Sequence, residues 1–220
     1  MDRRYTIPDV KRALNLSDFD ALKAQLRMTP TSRAIRRPAE RTGDVRLGGV
    51  MLLLYLEEGE LYTILTRRRD DLNSHAGQMS FPGGQRDDGE TLLMTALRET
   101  EEEVGILASD LEVLGQLSTL YIPPSDFEVH PFVAWVKNGR RPQFSPNPQE
   151  VAEIVEMPIS SLFNPSYRGE EPWEIRGLTI SVPFYRAGDY KVWGATAMII
   201  SEFVERLRLA RTEASQSAAN

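Results

Sequence analysis

The chain of 220 residues contains no cysteine. That excludes a disulfide framework, thiolate metal ligands and a cysteine nucleophile. Its two histidines, His75 and His130, are too few for a multi-histidine zinc site. The longest apolar runs, such as VMLLLYL at 50–56, fall far short of the ~20 residues that cross a bilayer as a helix. The N-terminus MDRRYTIPDV lacks the apolar stretch of a secretory signal. There is also no large charge excess: the net charge is −6, which argues against a nucleic-acid partner. These absences leave a cytoplasmic protein with neither membrane nor nucleic acid as partner as the expectation.

The negative charge is concentrated. Residues 84–106 hold seven acids (Asp87, Asp88, Glu90, Glu99, Glu101, Glu102, Glu103) against Arg86 and Arg98, a net charge of −5. The first 46 residues run the other way, with eleven basic and six acidic side chains. An acidic spot in a mixed chain points to a local cation site. Hydrophobic residues make up 41 %, enough for the core of one domain with a small appendage. The expected organisation is an N-terminal helical segment and connector over 1–42, one domain over 43–211 and a frayed tail over 212–220. Within the domain, residues 45–56 and 61–68 read as two strands joined by the turn EEGE. Residues 70–89 read as a long glycine-rich loop, a kind that is usually functional. Further strands are expected in 111–122, 128–136 and 174–194, and an amphipathic helix over 195–211. Strands interleaved with a few helices predict an α/β layered domain.

The acidic segment predicts a helix from Leu92 to Val104, with Thr91 as N-cap and Gly105 as stop. Glutamates crowd its C-terminal end, where the helix dipole disfavours them. At ~100° per residue, Leu93, Leu97, Thr100 and Val104 face the core, and Leu92, Ala96, Glu99 and Glu103 form the next stripe. Glu102 shares that edge and Glu101 points elsewhere, so three carboxylates are expected to converge beside the core. A solvated acidic face is the plain alternative. Repulsion at i,i+4, the unfavourable helix end and the neighbouring apolar stripe all count against it. A bound divalent cation offsets all three, and oxygen donors without thiols favour Mg²⁺ or Mn²⁺. Arg98 is placed to hold one carboxylate.

The stretch GQRDDGETLLMTALRETEEEVGI, 84–106, resembles the signature of the Nudix hydrolases. Gly84, Glu90, Arg98, Glu99, Glu102, Glu103, Gly105 and Ile106 match it; Thr100 departs where an aliphatic residue is usual. The resemblance implies a Nudix-type α/β/α sandwich around a mixed β-sheet. It implies hydrolysis of a nucleoside diphosphate linked to another group. It makes Glu99, Glu102 and Glu103 metal ligands or base, with Glu99 or Glu102 as the base, Arg98 their organiser, Glu90 a supporting acid and the Gly84 carbonyl a ligand.

ILTRRRDDLNSHAGQMSFPGG, 64–84, is similar to the extension of the coenzyme A diphosphatases. Ile64, Leu65, Thr66, Arg67, Arg68, Gly77, Phe81, Pro82, Gly83 and Gly84 match. Arg69 and Asn73 depart, the second where an arginine is usual, and Arg69 is a candidate replacement for that phosphate contact. The resemblance implies cleavage of coenzyme A or acyl-coenzyme A to 3′,5′-ADP and (acyl-)4′-phosphopantetheine. Arg67, Arg68, Arg69, Asn73, His75, Gly77, Phe81 and Gly83 are then the candidate substrate contacts. The alternatives are a Nudix diphosphatase of ADP-ribose, NADH or a dinucleoside polyphosphate, and a silent nucleotide-binding module. Glu150, in NPQEVAEI, is a further supporting candidate, while Glu153 reads as a solvated acid. His130 and Tyr121 read as structural, and Trp173 and Trp193 as core. The partner is a small molecule, and a homodimer is left open.

Overall fold

The chain enters its domain as a hairpin of β1 (Arg46–Glu57) and β2 (Glu60–Arg68). Leu56 pairs with Leu61 and Glu57 with Glu60. Glu58 and Gly59 both take positive φ, 50° and 76°, the two-residue turn that matches strand twist. The computed structural model describes residues 4–31, 45–69, 71, 77–175 and 177–217.

Six further strands complete the main sheet among the described residues: β3 (Met79–Ser80), β4 (Gly83–Gln85), β5 (Leu111–Gln116), β6 (Leu120–Ile122), β7 (Phe127–Arg140) and β8 (Val151–Pro158). The order is β3-β2-β1-β7-β5, with β4 paired to β1, β6 to β7 and β8 to β2. β1 and β7 run parallel and the other pairs antiparallel, so the sheet is mixed, as expected. β9 (Arg168–Ile175), β10 (Leu178–Ala187) and β11 (Tyr190–Val192) form a separate three-stranded sheet. The region read as one long loop thus contains β3 and β4. Those strands are too short to leave a period-2 pattern.

β1 explains its own sequence. Leu52 and Leu54 pack on one face with Leu65, Val133, Phe203, Val204 and Leu207. Met51, Leu53 and Tyr55 pack on the other with Ile64, Phe132, Ala134, Ala96 and Val104. A strand buried on both faces reads as a continuous apolar run. The first face is covered by α4 (Gly194–Ser217) with α1 (Ile7–Leu14) and α2 (Ala21–Leu26); the second by α3 (Leu92–Val104). The result is the α/β/α sandwich. α4 continues through Ser217, past the expected end of the helix.

α1 starts with a capping box, Thr6 and Asp9 bonding each other's backbone amides. The N-terminal helices are tied to α4 by a buried polar network. Glu202, fully buried, accepts from Arg206 Nε at 2.9 Å, from Gln25 Nε2 at 2.8 Å and from the Ser118 amide at 3.0 Å. Ser201 donates to the Ala24 carbonyl at 2.7 Å. Trp173 and Trp193 are only partly buried and meet edge to face at 5.0 Å, which corrects their reading as core. Trp173 sits in β9 of the small sheet and Trp193 just past β11, and Trp173 Nε1 keeps its partner in Glu171. His130 is held by Glu128, Gln116 and Thr119, structural as read, whereas Tyr121 is only partly buried and donates its hydroxyl to Asp126.

Candidate active site

α3 carries the acidic stretch because its caps define it. Thr91 Oγ1 accepts from the Met94 amide at the start. Gly105 takes φ 76° at the end and donates to the Glu101 carbonyl. A Cβ on Gly105 would also stand 2.7 Å from Ser145 Cβ, so glycine serves both the turn and a close approach. Gly49 of β1 lets α3 settle onto the sheet, because a Cβ there would collide with the Leu92 carbonyl. Thr100 fills the core stripe with its hydroxyl bonded back to the Ala96 carbonyl at 2.6 Å.

Arg98 is the hub. Its Nε and Nη2 grip Glu90 at 2.8 and 3.1 Å. Its Nη1 reaches Glu99 at 2.9 Å and Glu102 at 3.0 Å. The Arg98 fork, helped by Thr95 Oγ1 and the Asp87 amide, holds the Glu90 carboxyl down at about 2. Glu90 is therefore an anchor that orients Arg98. Burial pushes the Glu99 carboxyl above its ordinary value against the Arg98 charge, and the charges of Glu102 and Glu150 push the same way. Glu103 is 6 % exposed and accepts from Thr66 Oγ1 at 3.3 Å. Burial, then the Glu99 charge, lifts its carboxyl to about 8.

The three carboxylates share the helix edge but do not converge on one point. Among the described residues no three His, Asp or Glu side chains are gathered as a metal cage. Arg98 Nη1 gathers Glu99 and Glu102, while Glu103 turns away to Thr66. The donor set nonetheless fits a Mg²⁺-type cation. Glu103 is a carboxylate buried among like charges, Glu99 lies against the Gly84 backbone, where a Cβ would strike its carboxylate, and all donors are oxygens. Such a cation takes few protein carboxylates and fills its shell from water and phosphate.

The end of β2 borders this edge. Arg67 lies over the Tyr190 ring at 5.7 Å, and the Arg68 charge is felt at Glu103. Gly77 takes φ 67° and donates its amide to the Arg68 carbonyl at 3.1 Å. Gly83 packs against β1, and a Cβ there would strike the Gly49 carbonyl. Phe81 is 2 % exposed, its ring part of the core on the α4 face. Asn73 and His75 lie outside the described residues. Arg69 does not point to a free site: its guanidinium holds Asp71 at 2.8 and 2.6 Å and the Pro148 carbonyl at 2.5 Å. Glu153 is exposed, as read, and accepts the Tyr190 hydroxyl at 2.5 Å.

The loop over 145–150 joins the site from far along the chain. Ser145 and Asn147 donate their amides to the Val104 and Glu103 carbonyls at 2.9 and 3.0 Å, using acceptors that a helix end leaves open. This brings Glu150 near enough for its charge to act on both Glu99 and Glu103. Sequence reasoning singled out Glu150 of this loop as a supporting candidate, but not Thr66 or Thr95 as site residues. Thr66 carried a signal in the ILTRR run, whereas the loop's backbone bonds carry none.

Residues 45–175 match the family model described as the NUDIX domain. A protein named uncharacterized Nudix hydrolase NudL, from Photorhabdus laumondii, is 34 % identical over 197 residues, covering 89 % of this chain and 100 % of that protein. One of the same name from Yersinia pestis is 37 % identical over 147 residues, covering 66 % of this chain and 72 % of its own. Among solved structures, a MutT/nudix family protein from Enterococcus faecalis superposes with a TM-score of 0.52 at 14 % identity, over 94 % of this chain and 76 % of that one. That likeness shows the fold alone.

Proposed function

The chain belongs to the Nudix family of hydrolases that cleave diphosphate bonds in nucleoside diphosphate derivatives with a divalent metal ion, and from that premise we propose that its substrate is coenzyme A or an acyl-coenzyme A. The observation that carries this reading is the arginine run at the end of β2. Thr66, bonded to Glu103, is followed directly by Arg67 and Arg68. A diphosphate lying at the acidic edge thus has the Arg68 cation beside it, with Arg67 over Tyr190 at the same strand end as the next cation for a further phosphate, and coenzyme A carries one at the 3′ position.

Glu99, Glu102, Glu103 and the Gly84 carbonyl are the oxygens that would hold Mg²⁺ or Mn²⁺. When bound, the cation supplies neutralisation of the diphosphate oxygens and a more acidic water. Arg98 keeps Glu99 and Glu102 side by side on one nitrogen, and Glu90 keeps Arg98 in place. Glu99 or Glu102 takes the proton of the attacking water as its oxygen adds to phosphorus and the bridging P–O bond breaks.

The commitment of Arg69 to Asp71 and Pro148 favours a second reading: a diphosphate without a 3′-phosphate, as in ADP-ribose, NADH or a dinucleoside polyphosphate. Incubation with Mg²⁺ or Mn²⁺ and a panel of coenzyme A, acetyl-coenzyme A and these compounds decides. Release of 3′,5′-ADP is expected, with turnover abolished by Glu99→Gln and by Glu103→Gln in folded protein. Cleavage of the other compounds alone would remove coenzyme A as substrate. Binding without turnover would make the chain a silent module.

A further inference from the structure

Arg69 stands at the junction of two elements far apart in sequence, reaching Pro148 79 positions on. Its amide donates to the Glu150 carbonyl at 3.2 Å. Its guanidinium spans from Asp71, which it grips with Nε and Nη2, to the Pro148 carbonyl, which it reaches with Nη1. The far side of the same loop is bonded to the last carbonyls of α3 through Ser145 and Asn147. Asn147 closes the loop on itself, its carbonyl accepting from the Glu150 and Val151 amides at 3.1 and 2.9 Å. Immediately beyond, Val151 pairs with Arg68 across an irregularity in the β2–β8 register. The loop is therefore clamped between the end of β2 and the end of α3, and Glu150 is the carboxylate it carries to the acidic edge.

We propose that Arg69 is a positioning residue that latches the 145–150 loop to the end of β2 and so holds the Glu150 carboxylate beside Glu99 and Glu103. The inference rests on the reading of that edge as the reaction site. It assigns Arg69 a task other than phosphate binding, although it belongs to the arginine run. The fork geometry matters: three nitrogens serve two acceptor groups on either side, and a lysine ammonium has no planar fork to span them. A loop freed at one end lets its carboxylate drift by an ångström or more, enough to slow a reaction whose groups must stay aligned.

The latch itself is read by hydrogen exchange of the metal-free protein. In Arg69→Ala and Arg69→Lys the Glu150 and Val151 amides are expected to exchange about tenfold faster, with the amides of α4 unchanged. Unchanged exchange at Glu150 and Val151 would overturn the latch, whether or not any substrate is cleaved. Its consequence is read by kinetics on whichever substrate the panel identifies. Both variants are expected to lower kcat about tenfold with KM held within about twofold. Arg69→Ala is expected to add no further loss in a Glu150→Gln background. A rise in KM at constant kcat, with Lys restoring it, would make Arg69 a substrate contact and overturn the proposal, as would full additivity with Glu150→Gln. A wild-type protein inert on every substrate would sink the functional reading and leave the exchange result to judge the latch alone.

Discussion

Glu103 shows what a single position in the acidic stretch does. It is a carboxylate 6 % exposed, with Thr66 as a hydrogen-bond donor and Glu99 as a like-charged neighbour. Its carboxyl sits at about 8 in the fold against an ordinary 4.5, so the fold binds its proton more tightly than the unfolded chain does. The stabilisation from that proton is full below pH ~4.5 and is lost as pH rises through about 8. Metal-free protein is therefore expected to lose stability, on the order of a few kcal/mol, across that window. Thermal melts in a chelating buffer at pH 5 and pH 8 measure this. Added Mn²⁺ is expected to raise the melting temperature more at pH 8, where the carboxylate is charged. Glu103→Gln is expected to flatten the chelated pH slope; a wild-type slope persisting in that variant would place its source elsewhere. The location of Glu103 was legible because the helical period puts it on the buried edge. Its inward turn to Thr66 was not, because the partner lies on another strand.

α3 was legible as an element from its own sequence: an N-cap threonine, a 3.6-residue apolar stripe and a glycine stop all agree. How closely it sits on the sheet was not, since that depends on Gly49 of β1, 43 positions before it. With a Cβ at position 49 pressing on the Leu92 carbonyl, the helix must lift or β1 must shift. Gly49→Ala is expected to cost about 1–3 kcal/mol by overpacking. It is also expected to lower kcat in protein that is still folded, because Glu99 and the Gly84 backbone lie across the same contact. Urea unfolding with the assay run on the same sample separates the two effects. Loss of stability with full kcat would show that the helix can lift without disturbing the acidic edge. The 145–150 loop is the opposite case. It contributes Glu150 through backbone bonds to Glu103, Val104 and Asn147, and any sequence can supply a backbone amide. Sequence therefore flags Glu150 as a supporting candidate but not the backbone bonds that carry it to the edge.

At the scale of the whole molecule the sandwich separates two jobs. The α3 face holds the acidic edge, and the α4 face holds the N-terminal helices through Glu202 and Arg206. The amphipathic pattern of α4 was readable, yet Glu202 and Arg206 within it look like ordinary surface charges one turn apart. Only the docked Gln25, the Ser118 amide and the Phe19 ring, 4.3 Å beneath the guanidinium, make them interior. A buried pair of this kind is weak evidence of net stabilisation, but losing one partner strands the other. Glu202→Ala leaves Arg206 buried beside Ala13 and Phe19 without its carboxylate. The expected cost is about 3–5 kcal/mol, a fall in melting temperature of roughly 10 °C for a chain of this size. Exchange is expected to rise first at the α1 and α2 amides, since those helices lose their tie to α4. Turnover per folded molecule is expected to stay near wild type at low temperature, because no atom of the network touches the acidic edge. The double variant Glu202→Met, Arg206→Leu, apolar on both sides, is expected to recover much of the stability. Should the single variant lose turnover in step with the exchange of α1 and α2, the two faces would be coupled through the sheet. The N-terminal helices would then belong to the working unit.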